Sequence, residues 1–159
     1  MTENTLIQEF HSDHAQVVQA LVDLRSSIQA RDPAGVRSTL DGANRLVGPH
    51  FKFEELYLYP ELRQFVGEAG MHRLLMEHDG VFRGVAALAR LASNDTWTDE
   101  EAQNAQAYLD LIWEHPISCD GLSLYIERLR GDVQKALLGK MNAMRRQGTT
   151  LLDYRKERN

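Results

Sequence analysis

The sequence predicts an all-α fold, an up-down-up-down four-helix bundle with a short additional C-terminal helix. Apolar residues recur at intervals of three and four along almost the whole chain, the period of helices with one buried face, and alternation with period two is nearly absent. The breaks between periodic segments carry helix start signals, Asp32 before Pro33 and Thr98 three residues before Glu101. With 159 residues the chain is the size of one domain, long enough to bury about two thirds of its unfolded surface.

The first helix runs from about Thr5 to Ala30 and lines up Leu6, Phe10, His14, Val17, Leu21, Leu24 and Ile28 on one stripe. Asp32 caps the second helix and Pro33 takes its first position, where a missing N–H costs nothing. This helix turns Val36, Leu40, Ala43, Val47, His50, Glu54 and Leu58 inward and ends near Tyr59 or shortly after Pro60. Pro49 removes one backbone bond, so an irregularity is expected immediately before His50. Gly67 to Gly70 reads as the next loop, and a third helix, about Met71 to Ala92, carries Met71, Leu74, His78, Val81, Val85 and Leu88 inward. Thr98 and Glu101 form a capping box for the fourth, which buries Ala105, Tyr108, Ile112, His115 and, past an interruption at Pro116, Leu122 and Tyr125. A shorter fifth helix, about Asp132 to Arg146, has Val133, Leu137, Leu138, Met141 and Met144 on one side, to cap the bundle or to pair with a second copy as a homodimer. The expected division is a bundle over residues 1–130 and a C-terminal helix with a basic tail over 131–159, packed on the bundle or extending from it.

The formal net charge of −5 argues against a nucleic-acid backbone as the main partner. From Gly131 onward, however, seven basic residues face three acidic ones, so the excess of acid sits earlier. The N-terminal MTENTLIQEF lacks the basic start and apolar run of a signal peptide, and no stretch approaches the roughly 18 apolar residues of a membrane span. Cys119 is the only cysteine, which excludes an intrachain disulfide and suits a reducing, cytoplasmic setting.

Each of the four long helices thus carries one histidine on its inward face: His14, His50, His78 and His115. Four uncompensated imidazoles in one core are costly unless something binds them, and a metal is the economical answer. His50 and Glu54, one helical turn apart, present lone pairs to a shared point. The chain also repeats itself. Asp13-His14 is followed by Val17, Leu21 and Leu24 at the offsets at which Glu77-His78 is followed by Val81, Val85 and Leu88. His14 to His50 spans 36 residues and His78 to His115 spans 37. Two hairpins with one ligand scheme, facing each other, make a two-metal site.

His14, the pair His50 and Glu54, His78, and His115 with Asp120 resemble the ligand order of the hemerythrin-like, or HHE cation-binding, domains, over roughly Leu6 to Leu129. The resemblance implies a bundle whose core holds two non-heme iron ions with an oxo or hydroxo bridge. His14 and His50 would ligate one iron and His78 and His115 the other, with Glu54 and Asp120 bridging. Imidazoles and carboxylates suit iron, and Phe51, Phe53, Ile112 and Trp113 are candidates for an apolar jacket. Tyr57 and Tyr59 read either as redox-active or as amphipathic residues at the bundle end.

Three departures mark this chain. The position four before His78 is Leu74, where hemerythrins proper have a further histidine, and His72 and Glu77 are not easy substitutes. Cys119 stands at the repeat equivalent of Glu54, as a metal-bound thiolate or a small buried residue, and Asp120 in the role of bridge needs a widened turn near Pro116 and Gly121. The third is the basic extension after Gly131. His11, one turn before His14, could reach the first site. The implied function is binding of O2 or a related small molecule such as NO or peroxide, as carrier, sensor or scavenger. The alternatives are a di-iron redox enzyme handling peroxide or NO or repairing iron centres, and a metal-free or zinc-bearing regulatory bundle. No general-base pair, nucleophile or phosphate-binding glycine loop points to hydrolytic or transfer chemistry.

Overall fold

Local signals start the helices where the chain places them in the computed structural model, which describes residues 3–158. The Thr5 side chain accepts from the Gln8 N–H and the Gln8 side chain from the Thr5 N–H, opening α1 (Leu6–Gln29). Asp32 caps α2 (Pro33–Phe53) through the Gly35 N–H, with Pro33 in the first turn. The Thr98–Glu101 capping box opens α4 (Asp99–Trp113). No strand occurs among the described residues.

Between α2 and α3 (Tyr59–Leu91) the helix does not stop. Residues Glu54–Leu58 form a π-helical turn, in which the Tyr59 N–H bonds back five residues to the Glu54 carbonyl. The irregularity expected before His50 therefore lies just after it, because Pro49 is absorbed inside α2 while the extra residue is accommodated at Glu54. The loop expected over Gly67 to Gly70 shrinks to one residue: Gly67, at φ 68° and ψ 179°, kinks α3 and the helix resumes at once. The fourth helix breaks at Glu114, continues as α5 (His115–Asp120) and α6 (Ser123–Ile126), and is followed by α7 (Gly131–Gln147) and α8 (Leu151–Glu157).

The C-terminal stretch folds back onto the bundle, α7 against α2 and α1, α8 against α2 and α3. Leu137, Met141 and Met144 of α7 are buried within the chain itself. Gly48 makes the docking of α8 possible, since a Cβ there would collide with the backbone of Thr149 to Leu151. The core has two apolar halves. One holds Leu21, Leu24, Val36, Val81, Val85, Leu109, Ile112 and Leu151, the other Phe10, Phe53, Leu58, Leu62, Met71, Leu122 and Met141. The inward histidines of α1, α2 and α3, and His115 just past α4, fall between them.

Candidate metal centre

His14 on α1, His50 on α2, His78 on α3 and His115 at the start of α5 are all buried. Each ring is held by a carboxylate on its Nδ1. Asp120 Oδ1 lies 2.9 Å from His14 Nδ1, Asp13 Oδ2 2.7 Å from that of His50, Glu55 Oε1 2.7 Å from that of His78, and Glu77 Oε2 3.1 Å from that of His115. An ionised carboxylate only accepts, so each Nδ1 carries the proton and donates. That fixes the tautomer: every Nε2 is left to face the centre of the bundle.

What the four Nε2 atoms face is Glu54, which is wholly buried. His50 Nε2 is 3.0 Å from Glu54 Oε1, and His78 Nε2 is 3.0 Å from Glu54 Oε2. Cys119 donates its S–H to Oε1 at 2.7 Å. The Tyr59 hydroxyl is brought inward after the π turn, 3.2 Å from Oε2 and 2.9 Å from His78 Nε2. Two groups of donor atoms result, His14 with His50, Glu54 and Cys119, and Glu54 with His78 and His115, the atoms of each lying within 4.8 Å of one another. Glu54 belongs to both.

The residues present fit a cation. Among the described residues, His14 Nε2 and His115 Nε2 are buried without any hydrogen-bond partner, a costly condition that a metal ion in each group would relieve. Without an ion, protons serve in its place. Burial opposes charge on His50, but Glu54 and Asp13 outweigh it and raise the imidazole to about 10. Burial likewise pushes the Glu54 carboxyl up, yet the charge and hydrogen bond of His50 and the contact with His78 hold it well below the usual carboxylate range. Burial and the His50 charge instead lower His14. Burial and the Glu54 charge raise both the Cys119 thiol and the Tyr59 phenol.

The packing around the rings is tight. Phe51 stacks on His78 at 3.6 Å and 6°, and Phe10 meets His14 edge-on at 4.4 Å. Beside His14, His50 and His115 lies an apolar cavity of about 40 Å³, walled by Val17, Leu21, Val81, Val85, Ile112 and Leu151. One water molecule needs a cavity of about 10–15 Å³, so the space admits a diatomic molecule.

Of the six residues expected to hold metal, His14, His50, Glu54, His78 and His115 converge. Asp120 does not: it binds the outer nitrogen of His14 and also receives His11 Nδ1 at 2.5 Å, while Cys119 takes the inward direction. In α5, as in any α-helix, the residue four after the histidine faces inward and the one five after points aside, and no widened turn occurs there. His11 is half-exposed and lies outside both groups. The expectation gave no place in the site to Asp13, Glu55 or Glu77, and it named Tyr59 as redox-active or as a residue at the bundle end, where the structure sets its hydroxyl against Glu54 and His78. The repeated acid-histidine pairs, Asp13-His14 and Glu77-His78, were the visible signal, but each acid serves the histidine of the neighbouring helix, His50 and His115.

The C-terminal helices reach this centre as well. Arg145 Nη2 of α7 lies 2.9 Å from Asp13 Oδ1, behind His50. Tyr154 donates its hydroxyl at 2.7 Å to Glu55 Oε2, and Arg158 Nε stands 2.9 Å from the same oxygen, behind His78.

A family model described as the hemerythrin HHE cation-binding domain matches residues 5–115. Comparison with curated proteins and with solved structures found no significant match.

Proposed function

The chain belongs to the hemerythrin HHE cation-binding domain family, and on that premise we propose that it is a non-heme di-iron protein binding O2 or a related small molecule such as NO, as carrier, sensor or scavenger. The observation that carries this reading is Glu54, which belongs to both donor groups, each with two histidines, and meets His50 through Oε1 and His78 through Oε2. A carboxylate so shared would hold two cations as a pair. Imidazole and carboxylate donors suit iron. Bound there, an iron pair supplies redox-active centres with coordination positions left for a small ligand.

The chain's own residues supply the rest. Asp13, Glu55, Glu77 and Asp120 hold the Nδ1 protons and orient the rings. Phe10 and Phe51 pack against the imidazoles, and the apolar cavity offers a ligand without charge or hydrogen-bonding needs a place that water does not favour. No helix among the described residues is long and apolar enough to cross a membrane, and the lone buried thiol suits the cytoplasm. We read residues 131–159 as an extension that serves the bundle, since Arg145, Tyr154 and Arg158 brace two of the ring-holding carboxylates.

The test is anaerobic iron loading, metal quantification, and absorption spectra before and after exposure to air. The expected result is two irons per chain with the near-ultraviolet and visible bands of a bridged ferric pair, abolished in His50→Ala and Glu54→Ala. A colourless, iron-free protein with its helicity intact would overturn it. Turnover of peroxide or NO that disappears in His78→Ala would turn the carrier into a redox enzyme. A zinc-bearing bundle is the second reading, favoured by the thiol of Cys119, which gives the first group a four-donor set that zinc also accepts.

A further inference from the structure

We propose that Cys119 is itself a metal ligand, a thiolate that completes the donor set of His14, His50 and Glu54 and makes the two metal positions chemically unequal. This rests on reading the cluster as a metal centre and adds a sulfur donor to it.

The internal repeat is the first support. Five residues after His50 stands Glu55, and five after His115 stands Asp120. In the structure these two do the same thing in opposite halves, Glu55 on His78 Nδ1 and Asp120 on His14 Nδ1. With the outer acids matched, the residues just before them are matched too, so Cys119 is the counterpart of Glu54, the carboxylate that both groups share. The second support is direction. Cys119 is buried to 1% exposure, and a thiol kept only to fill space would aim its sulfur at apolar atoms. Instead it donates to Glu54 Oε1, with donor atoms of His14 and His50 within 4.8 Å. The third support is independent of the cysteine. His14, exposed by only 6%, turns Nε2 into the same space and finds no partner there. An ion between that nitrogen and Cys119 Sγ satisfies both.

Binding breaks the S–H bond, gives the sulfur lone pair to the metal and releases the proton to water; no electron moves and no co-reactant is required. The Glu54–His78–His115 group gains no sulfur, and the Tyr59 hydroxyl is its additional neighbour. One position is therefore softer than the other, since thiolate prefers softer metals than carboxylate does.

Cobalt(II) is the probe. Loaded into the full-length chain, it should give visible ligand-field bands together with an intense near-ultraviolet sulfur-to-cobalt band. In Cys119→Ser and Cys119→Glu the near-ultraviolet band should vanish entirely, while the ligand-field bands and the helical circular dichroism remain. Wild-type ligand-field bands that depend on His50, without a near-ultraviolet band, would overturn the sulfur ligand and leave the metal centre standing. Absence of both kinds of band in folded wild-type protein would overturn both.

Discussion

Glu54 has no surface to escape to and no lysine or arginine on it; its contacts are His50, His78, Cys119 and Tyr59. Replacing it by alanine leaves His50 Nε2 without its acceptor in the core and Asp13 as the remaining carboxylate on that ring, and the metal-free protein is expected to lose about 1–3 kcal/mol, the usual cost of leaving a buried polar group unsatisfied, as read by urea denaturation. The same pair sets a pH dependence. His50 is raised from an ordinary 6.5 to about 10, so its contribution is complete below pH 6.5 and is lost as the pH rises through 10. Metal-free protein should therefore melt at a lower temperature at pH 10 than at pH 6.5, a gap that narrows in Glu54→Gln. The four histidines and Glu54 were legible in the sequence because a helix has one inward phase, and each sits in it. Asp120, expected as a bridge for its acidity, lies outside that phase and binds the outer nitrogen of His14. The partners of Asp13 and Glu77 were illegible, since which neighbouring helix an acid reaches depends on how helices cross.

Helix starts were equally plain, since Asp32 and Thr98 act on backbone N–H groups three residues away. The π turn at Glu54–Leu58 was not, because none of those side chains demands it. Its effect is positional: it lies between Glu54 and Tyr59, which meet in one site. Helix α8 escaped notice for another reason. It has only seven residues, too few to establish a period, and its charges read as part of a basic tail. Yet Arg158 and Tyr154 both bind Glu55. Tyr154→Phe and Arg158→Ala each remove one partner of Glu55 and are expected to weaken metal retention, by less than the about 10–100-fold usual when the partner of a metal-bound histidine is itself removed, in a chelator competition assay. Unchanged retention would reduce α8 to packing.

The molecule as a whole is two apolar cores with a polar layer between them, and its cavity opens on that layer from the side of Leu21, Val85 and Leu151. Val81→Phe is expected to fill the cavity, cost about 1–3 kcal/mol through overpacking, and slow or block the binding of NO to iron-loaded protein in stopped-flow measurements. The bundle itself was readable from periodicity. The cavity was not, since an apolar stripe looks the same whether its side chains meet or fall short by the width of a small molecule. The final helix gives this arrangement an order in time. Glu55 precedes its clamps Tyr154 and Arg158 by about a hundred residues, so during synthesis every residue proposed to hold metal leaves the ribosome before the parts that steady one of the rings. A chain stopped at Gly148 should accordingly still form helices and take up iron, yet surrender it to a chelator faster than the full chain. Firm retention of the metal then reports that the last segment has arrived and docked against Gly48.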